Sequence, residues 1–403
     1  MTRWAWIVAT TALGAAAVMV GVFGTQSLIA NTGDPYQYGA IARGLMDHGL
    51  TQLTRRAASL YPEAIAVVYR LGGDDFTVVL LQCLLHVGTC LLVLSLGRSL
   101  FNARAGVLAA LACALHPMLL RYVPDLHMES LLTFLFTLTI CVAVRFRERP
   151  TPFRAVQLGI VAMSAILTKG VALPVVGVFA LISLVAALRE RSPRTLLAVA
   201  ILGLTMAALL APWTYRNYQI TGGRFVLLTP GASDSFLRGY IFTRAEFATL
   251  RQPPYTDAEN ESNRLFRRIA NEAGTEWELD EVVDETNNAR YAKELIRTRP
   301  LDTARKVVVG LFTFWYEMTS LRTSLVPAVL AGGGWALAIL GLRRARRERR
   351  PTWMIWMPIV VMNVFVALLI PLGRYSVPVI PCLMILAAFG VDTLLNGGRR
   401  PAD

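Results

Sequence analysis

The sequence has few of the residues and motifs that mark soluble nucleotide-binding or metal-binding proteins. It contains no P-loop, no Gly-rich nucleotide loop, no internal repeat and no low-complexity tract, so it predicts neither a nucleotide-binding domain nor a repeat protein. The cysteines lie in apolar runs without metal-ligand spacing, which argues against a zinc site or a disulfide framework. We expect them to be small packing residues: Cys83, Cys90, Cys113, Cys141 and Cys382. Lysine is also scarce, since only Lys169, Lys293 and Lys306 occur in a chain rich in arginine.

Long apolar runs dominate the chain instead, and 55% of its 403 residues are hydrophobic. This composition is typical of an integral membrane protein rather than a soluble globule. The net charge of +13 would also suit a nucleic-acid-binding protein, but the arginines fall in short clusters between the apolar runs. Such clusters orient a chain in a membrane, so we predict a lipid bilayer and no nucleic acid among the partners.

Apolar runs of about 20 residues predict transmembrane helices, and about ten such runs predict an all-α polytopic membrane protein. The first run, from residue 4 to residue 30, is too long for the core of a signal peptide, so we interpret it as a retained span. The predicted spans are 4–27, 76–97, 104–120, 127–144, 153–168, 170–188, 195–212, 322–342, 352–372 and 376–395.

Arginine-rich loops predict the orientation of these spans. All the clusters fall on one side if ten helices run from a cytoplasmic N-terminus to a cytoplasmic C-terminus. The clusters are Arg3, Arg98 with Arg104, and the arginines within 145–149, 189–191, 343–350 and 399–400. A crossing at 301–320 would move the 343–350 cluster outside, so we interpret 301–320 as a helix docked in the outer interface. We therefore predict a multi-pass protein of the cytoplasmic membrane with its site on the outer face.

Two segments remain on the predicted outer side. The first loop, about 28–75, is expected to contain a short interfacial helix. The second, about 213–300, carries 13 of the 27 acidic residues and predicts a small helical cap, in which Thr275 and Glu278 fit a capping box before an amphipathic helix. The predicted division is an N-terminal transmembrane module at 1–212, the cap with the interfacial helix at 213–320, and C-terminal helices with a short cytoplasmic tail at 321–403.

The stretch after the first span places Asp34 where a membrane helix meets water. Pro35 biases the backbone of Asp34 towards an extended conformation, and Tyr36, Ile41 and Leu45 then recur at helical spacing. A carboxylate at the rim of the bilayer, with a helix leading away from it, can act as a general base. The alternative is an ordinary loop acid, and the spacing by itself does not decide between the two.

Further ionisable residues converge on the same predicted outer side, and an ionisable group at membrane depth is a functional candidate. Asp125 and Glu129 are four residues apart, so we expect them on one helix face. For the cations the alternative is snorkelling from helix ends, and for the histidines it is a polar role at the interface. The candidates are His116, Asp125, His127, Glu129, Lys169, Arg216 and Arg374.

Asp125, His127 and Glu129 are also weak candidates for binding a divalent cation such as Mg²⁺ or Mn²⁺. Three ligands from one turn, without a further ligand elsewhere, are a weak signal. We therefore assign no metal ligand and no certain cofactor from the sequence.

Carboxylates and cations at one depth, beside an outer cap, suit a reaction with an anionic lipid leaving group. The cations would stabilise the negative charge that builds on a phosphate as its bond to carbon breaks. Asp34 would take the proton from an attacking hydroxyl. A lipid phosphate is a good leaving group, so no second acid is required.

These motifs resemble the GT-C superfamily of membrane glycosyltransferases, in particular the bacterial branch related to protein O-mannosyltransferases (glycosyltransferase family 39). That branch includes the lipid A aminoarabinose transferase and the lipopolysaccharide galacturonosyltransferases. The matching stretches are Asp34-Pro-Tyr-x-Tyr, His116-Pro117 followed by Glu129, Pro212-Trp213-x-x-Arg216-Asn217-Tyr218, Gly223-x-Phe225-Val226, Arg374-Tyr375-x-x-Pro378-x-x-Pro381 and Phe389-Gly390.

The resemblance implies a GT-C-type bundle and an inverting transfer of a sugar from a polyprenyl-phosphate-linked donor to an acceptor outside the cytoplasm. That acceptor would be a polysaccharide, a glycolipid or a protein of the cell envelope. It also implies that Asp34 is the catalytic base, although the family often has two adjacent acids there and Pro35 follows here. By position, we expect Lys169, Arg216 and Arg374 at the donor phosphate, and Tyr36, His116, Asp125, His127 and Glu129 in supporting positions.

Two other functions remain as alternatives. One is a transporter or flippase for lipid-linked sugars, and the other is a non-catalytic scaffold that binds lipid-linked glycan. A transporter requires a charged path through its spans, whereas the predicted spans carry almost no internal charge. Release of free polyprenyl phosphate would distinguish the enzyme from both alternatives.

Overall fold

A computed structural model describes residues 3–23, 33–48, 60–229, 231–244, 255–318 and 321–396. Within these ranges the chain is mainly α-helical and forms no β-strand, which confirms the predicted all-α class. The predicted arginine cluster at 399–400 lies outside the described residues, as do the first-loop residues 28–32 and 49–59.

The helices follow the predicted apolar runs closely. They are α1 (Arg3–Phe23), α2 (Gly33–His48), α3 (Leu60–Arg70), α4 (Asp75–Leu100), α5 (Ala103–Ala114), α6 (Pro117–Leu120), α7 (Met128–Glu148), α8 (Pro152–Thr168), α9 (Leu173–Arg189), α10 (Pro193–Ile220), α11 (Ala232–Phe242), α12 (Tyr255–Glu272), α13 (Glu281–Thr298), α14 (Pro300–Thr313), α15 (Leu321–Arg347), α16 (Trp353–Leu368) and α17 (Ile380–Asn396). Short 3₁₀ helices lie at Gly170–Ala172 and Gly373–Val379.

Seven helices in the described part of the chain are long and apolar enough to cross a membrane. They are Arg3–Phe23, Asp75–Leu100, Met128–Glu148, Gly170–Arg189, Pro193–Ile220, Arg322–Arg347 and Gly373–Leu395. The shorter apolar helices α5, α8 and α16 coincide with the other three predicted spans, so the count of ten stays a prediction. Helix α14 has 14 residues, which is less than the length of about 20 residues that a span requires.

The chain folds into two compact units. Unit 1 comprises Met1–Arg216, Gly333–Ile359 and Val377–Asp403, and unit 2 comprises Asn217–Gly332 and Val360–Ser376. The three-part division drawn from the sequence stays a prediction.

Unit 1 is built around α4, which packs against α1, α5 and α7. Its N-terminus is closed by a capping box between Asp74 and Thr77. Helices α4 and α5 approach each other closely, because a Cβ atom on Gly97 would lie only 2.8 Å from the Cα of Gly106. All of the cysteines are buried, as expected for packing residues.

The arginine cluster at 343–350 forms specific contacts in unit 1. Arg344 Nη1 donates to Asp392 Oδ2 at 2.8 Å, and Asn102 Nδ2 donates to the same oxygen at 3.1 Å. Arg350 Nη1 donates to the backbone oxygen of Phe101 at 2.9 Å. Asp392 is only 1% exposed, so arginines predicted to orient the chain also join the ends of packed helices.

Unit 2 contains the helical cap, in which Leu237, Phe266, Ile269 and Ala292 form an apolar core. The predicted capping box at Thr275 is wrong. Helix α13 begins later, at Glu281, because Asp280 accepts hydrogen bonds from the N–H groups of Val282 and Val283. Thr275 Oγ1 instead donates to the backbone oxygen of Ala270 at the end of the preceding helix.

Candidate functional site

The first-loop helices α2 and α3 pack against each other in unit 1. Ala42 and Leu45 of α2 share an apolar core with Ile65 of α3, and Leu126 and Met128 belong to the same core. The helix that carries Asp34 is therefore packed beside the segment that leads into α7. This packing brings together two of the stretches that the sequence singled out.

Asp34 lies in the first turn of α2, which begins at Gly33. The prediction of an extended backbone at Asp34 is wrong, because Asp34 is part of the helix. Pro35 fits in the first turn, since the N–H groups there have no partner within the helix and the fixed φ of proline suits a helix start. The Asp34 side chain is partly buried. Tyr36, in contrast, is 41% exposed.

A buried hydrogen-bond chain links α3 to the segment before α7. Tyr61 donates from its hydroxyl to Gln82 Oε1 at 2.8 Å. Gln82 Nε2 then donates to the backbone oxygens of Val123 at 2.9 Å and Asp125 at 2.7 Å. Burial raises the pKa of Tyr61 well above its ordinary value, so its hydroxyl keeps its proton and donates. The turn at Asp125 is thus anchored by its backbone.

Asp125 and Glu129 do not share a helix face, which corrects the prediction from their spacing. Helix α7 begins at Met128, and Asp125 lies in the turn before it. His127 is the N-cap residue, and its Nδ1 atom lies 3.7 Å from Glu129 Oε2. In the described ranges no three His, Cys, Asp or Glu side chains form a group able to hold a metal ion. The divalent cation stays a prediction.

Glu129 forms a close ion pair with Lys169. Lys169 Nζ donates to Glu129 Oε1 at 3.0 Å, and the side chains of the lysine and the glutamate are 13% and 2% exposed. Lys169 caps the C-terminus of α8, where its backbone N–H donates to Ala165 O. The structure therefore joins two predicted site residues that are 40 positions apart in the chain.

His116 has a local structural contact. It is the N-cap of the short helix α6, and its Nδ1 atom accepts a hydrogen bond from the N–H of Met118 at 3.3 Å. The side chain is buried. Its predicted supporting role is accordingly best described as holding the turn between α5 and α7.

Arg216 lies near the C-terminal end of α10 and has an acidic neighbour that sequence reasoning missed. Its guanidinium lies over the ring of Trp213 at 4.5 Å, which fixes the orientation of the planar group. Burial raises the pKa of Glu63 in α3, and the nearby Arg216 opposes that rise. Arg216 and Glu63 therefore interact electrostatically within unit 1.

Arg374 lies in unit 2, in the 3₁₀ helix that precedes α17. The N–H of Gly373 donates to the backbone oxygen of Glu317 at 2.7 Å, so the segment carrying Glu317 lies against the one carrying Arg374. This approach requires glycine, since a Cβ atom at position 373 would lie 2.9 Å from that oxygen. The Glu317 carboxyl is buried, and burial raises its pKa to about 8. The assignment of Arg374 to a donor phosphate stays a prediction.

Lys306 is a second buried ionisable group of unit 2. It is 2% exposed, and its Nζ atom donates to the backbone oxygens of Ala367, Leu368 and Leu369 at 3.0, 2.9 and 3.0 Å. Burial lowers the pKa of Lys306 to about 7. The lysine closes the C-terminal end of α16, where helix carbonyls otherwise have no partner.

Sequence reasoning missed Tyr61, Gln82, Glu63, Glu317 and Lys306. The only available signals were an acid directly after an aromatic run for Glu317 and the scarcity of lysine for Lys306. Nothing in the spacing of the others indicates which distant group they contact.

A comparison with family models gives a match over residues 60–215 to the family described as dolichyl-phosphate-mannose-protein mannosyltransferase. This range includes the Tyr61 chain, the Glu129–Lys169 pair and Glu63. The match confirms the resemblance to GT-C membrane glycosyltransferases. No curated protein sequence matches the chain.

Solved structures share the fold. The archaeal oligosaccharyltransferase AglB from Archaeoglobus fulgidus, in complex with an inhibitory peptide and a dolichol-phosphate, matches 98% of this chain with a TM-score of 0.57 and 13% identity. An apo crystal structure of the oligosaccharyltransferase from the same organism gives a TM-score of 0.59 at 13% identity and covers 99% of this chain. In both cases the match covers 51% of the other protein, so this chain spans about half the length of those structures. ArnT from Cupriavidus metallidurans bound to undecaprenyl phosphate gives a TM-score of 0.43 at 14% identity, covering 98% of this chain and 79% of ArnT.

Proposed function

From the match of residues 60–215 to a family of mannosyltransferases, we propose that this chain is a membrane glycosyltransferase. It transfers a sugar from a polyprenyl-phosphate-linked donor to a hydroxyl of an acceptor on the outer side of the cytoplasmic membrane. The proposal depends mainly on this match, and the matched range contains a buried cluster of ionisable side chains beside the first-loop helices. The dolichol-phosphate and peptide bound to the oligosaccharyltransferase of similar fold support a lipid-linked donor.

The proposed reaction is a direct displacement with inversion. The acceptor oxygen attacks the anomeric carbon, and the bond from that carbon to the phosphate oxygen breaks with its electron pair going to the phosphate. Asp34 receives the hydroxyl proton. Its position in the first turn of α2, a helix packed beside the segment that leads into α7, supports this role.

Arg216 is the proposed main ligand of the departing phosphate in unit 1. Its guanidinium is fixed over Trp213, and a planar guanidinium can donate two parallel hydrogen bonds to a phosphate. Lys169 is held by Glu129 at 3.0 Å, so we propose that it contributes positive charge at the site more than a direct phosphate contact.

The test is the release of free polyprenyl phosphate by the full-length protein reconstituted with a polyprenyl-phosphate sugar and mixed envelope glycans. We expect Asp34→Asn to lower the rate at least about 100-fold, because it removes the proton acceptor, while the protein remains folded and membrane-inserted. Asp47→Asn is the matched control, since Asp47 is the exposed acid at the other end of α2. Full activity of Asp34→Asn would remove Asp34 from the mechanism.

The alternatives give different results in the same preparation. A flippase would move labelled lipid-linked sugar between leaflets without releasing polyprenyl phosphate. A scaffold would bind the donor and do neither. Either result would contradict the proposed transferase.

A further inference from the structure

Unit 2 contains a cavity of about 600 Å³ among the cap helices α11, α12 and α13. We call it the cap cavity. Charged and aromatic side chains line much of it, among them Tyr240, Arg244, Arg264, Arg268, Tyr291 and Arg299. None of these residues belongs to the sugar-transfer site proposed above.

Two neighbouring helices supply the lining in a regular pattern. Arg264 and Arg268 of α12 are four residues apart, and so are Tyr291 and Leu295 of α13. Residues at this spacing share one face of a helix, so both helices direct a row of side chains to the cavity. Phe266 and Ala292 of the same helices lie in the apolar cap core, and the lining residues Tyr291 and Leu295 also pack partly against that core.

The charge of the cap cavity favours an anionic ligand. Four arginines line it against the two glutamates Glu261 and Glu294. Glu261 lies 3.7 Å from Arg244 and 3.5 Å from Arg264, and these three side chains are 40%, 41% and 77% exposed. Exposed ion pairs of this kind contribute little to stability, so a carboxylate on a ligand can replace Glu261 in its pairs with these arginines.

The aromatic residues favour a sugar over a simple ion. The guanidinium of Arg268 donates from Nη2 to the hydroxyl of Tyr291 at 3.2 Å, and Tyr240 donates to Asp302 Oδ2 at 3.3 Å. These bonds hold the hydroxyl ends of the two lining tyrosines in place. Tyrosine combines an apolar ring, which packs against sugar C–H groups, with a polar hydroxyl.

We propose that the cap cavity binds an acidic saccharide, meaning a sugar chain that carries carboxylate groups. The arginines pair with the carboxylates, since guanidinium and carboxylate form two parallel hydrogen bonds, and the tyrosines pack against the sugar rings. The role of this saccharide as the acceptor rests on the proposed function, whereas its binding does not.

The test is equilibrium binding to the full-length protein in phosphatidylcholine nanodiscs. Trigalacturonic acid is compared with maltotriose, a neutral sugar of equal length, and with inorganic phosphate. We expect trigalacturonic acid to bind at least about tenfold more tightly than maltotriose or phosphate, because several carboxylates on one chain can pair with several arginines at once.

The variant pair is Arg264→Gln with Arg268→Gln, and we expect it to weaken trigalacturonic acid binding at least about tenfold. Arg267→Gln is the control, because it removes one positive charge from the same helix at a position where the guanidinium lies over the Trp277 ring at 5.4 Å, outside the cavity lining. Thermal unfolding of each variant checks its fold.

Several results would overturn the proposal: equal binding of maltotriose, equal binding of phosphate, equal loss in Arg267→Gln, or no binding of trigalacturonic acid. Release of polyprenyl phosphate is measured on the same preparations. Binding without release would contradict the proposed function and support the cap cavity, whereas release without binding would contradict the cap cavity alone.

Discussion

Lys169 Nζ lies 3.0 Å from Glu129 Oε1, and the glutamate side chain is only 2% exposed. The two residues come from helix ends that are far apart in the chain. A buried carboxylate is stable only while it is paired or hydrogen-bonded, so the packing of α7 and α8 depends on this contact. The pair also changes the role expected for Lys169 as a ligand of the donor phosphate, because Glu129 already partly neutralises its charge before any donor binds.

The first prediction concerns this pair. Lys169→Met should destabilise the protein by about 3 kcal/mol, because it leaves Glu129 buried without its cation. The double variant Lys169→Met with Glu129→Gln should recover most of that loss. Thermal unfolding in detergent measures both, and Glu272→Gln is the control, since it removes one partner of a long exposed pair with Arg268. Wild-type stability of Lys169→Met would show that the pair contributes little.

The second prediction concerns Glu317 and pH. Burial raises its pKa to about 8 from an ordinary value of 4.5, so the folded state holds a proton that the unfolded state has lost between these values. The contribution of Glu317 to the free energy of unfolding is therefore fully present below pH 4.5 and is lost as the pH rises towards 8. Glu317→Gln should flatten the fall of the unfolding temperature between about pH 5 and pH 7, a range in which the folded state keeps this proton and the unfolded state has lost it. Glu276→Gln, at an exposed site, should leave the slope unchanged. An identical slope in Glu317→Gln would contradict the assignment.

The third prediction concerns Lys306. Its ammonium donates to three backbone oxygens at the end of α16, so Lys306→Met should lower the free energy of unfolding by about 3 kcal/mol. The matched control is Lys293→Met, since Lys293 is exposed in the same unit and its loss should change stability by less than about 0.5 kcal/mol. Denaturant or thermal unfolding separates the two. Equal effects would mean that the carbonyls find water when the lysine is removed.

The fourth prediction concerns orientation. If the cap lies outside the cytoplasm, Arg267→Cys should react with a membrane-impermeant maleimide in intact spheroplasts. Arg346→Cys, in the arginine cluster at the end of α15, should react only after the membrane is permeabilised. The natural cysteines are buried and should give little background. Labelling in the reverse order would place the cap on the cytoplasmic side.

The sequence predicted the helices well and the contacts poorly. Apolar runs marked α4, α7 and α9 within a few residues, because length and hydrophobicity are local properties. The face shared by Asp125 and Glu129 was predicted wrongly, since the start of α7 at Met128 depends on the packed turn before it. That turn is held by Gln82, which lies more than 40 positions before it in the chain.

The candidate site shows the same limit. The sequence singled out Asp34, Lys169 and Arg216 as candidates because they are ionisable residues at the ends of apolar runs, which is a local signal. Glu63 was missed because an acid in an outer loop is unremarkable until its neighbour Arg216 is known. The cap cavity was missed because its lining comes from three helices, each of which is an ordinary amphipathic segment in sequence.

The amino-acid sequence by itself determined that this protein is an α-helical membrane protein with arginine-rich ends, because hydrophobic length and charge placement act within each segment. The tertiary structure alone decided that Glu129 pairs with Lys169, that Lys306 closes α16 and that four arginines share one cavity. These contacts join residues from different helices, and the energy of each depends on burial and on distances that exist only after the helices have packed.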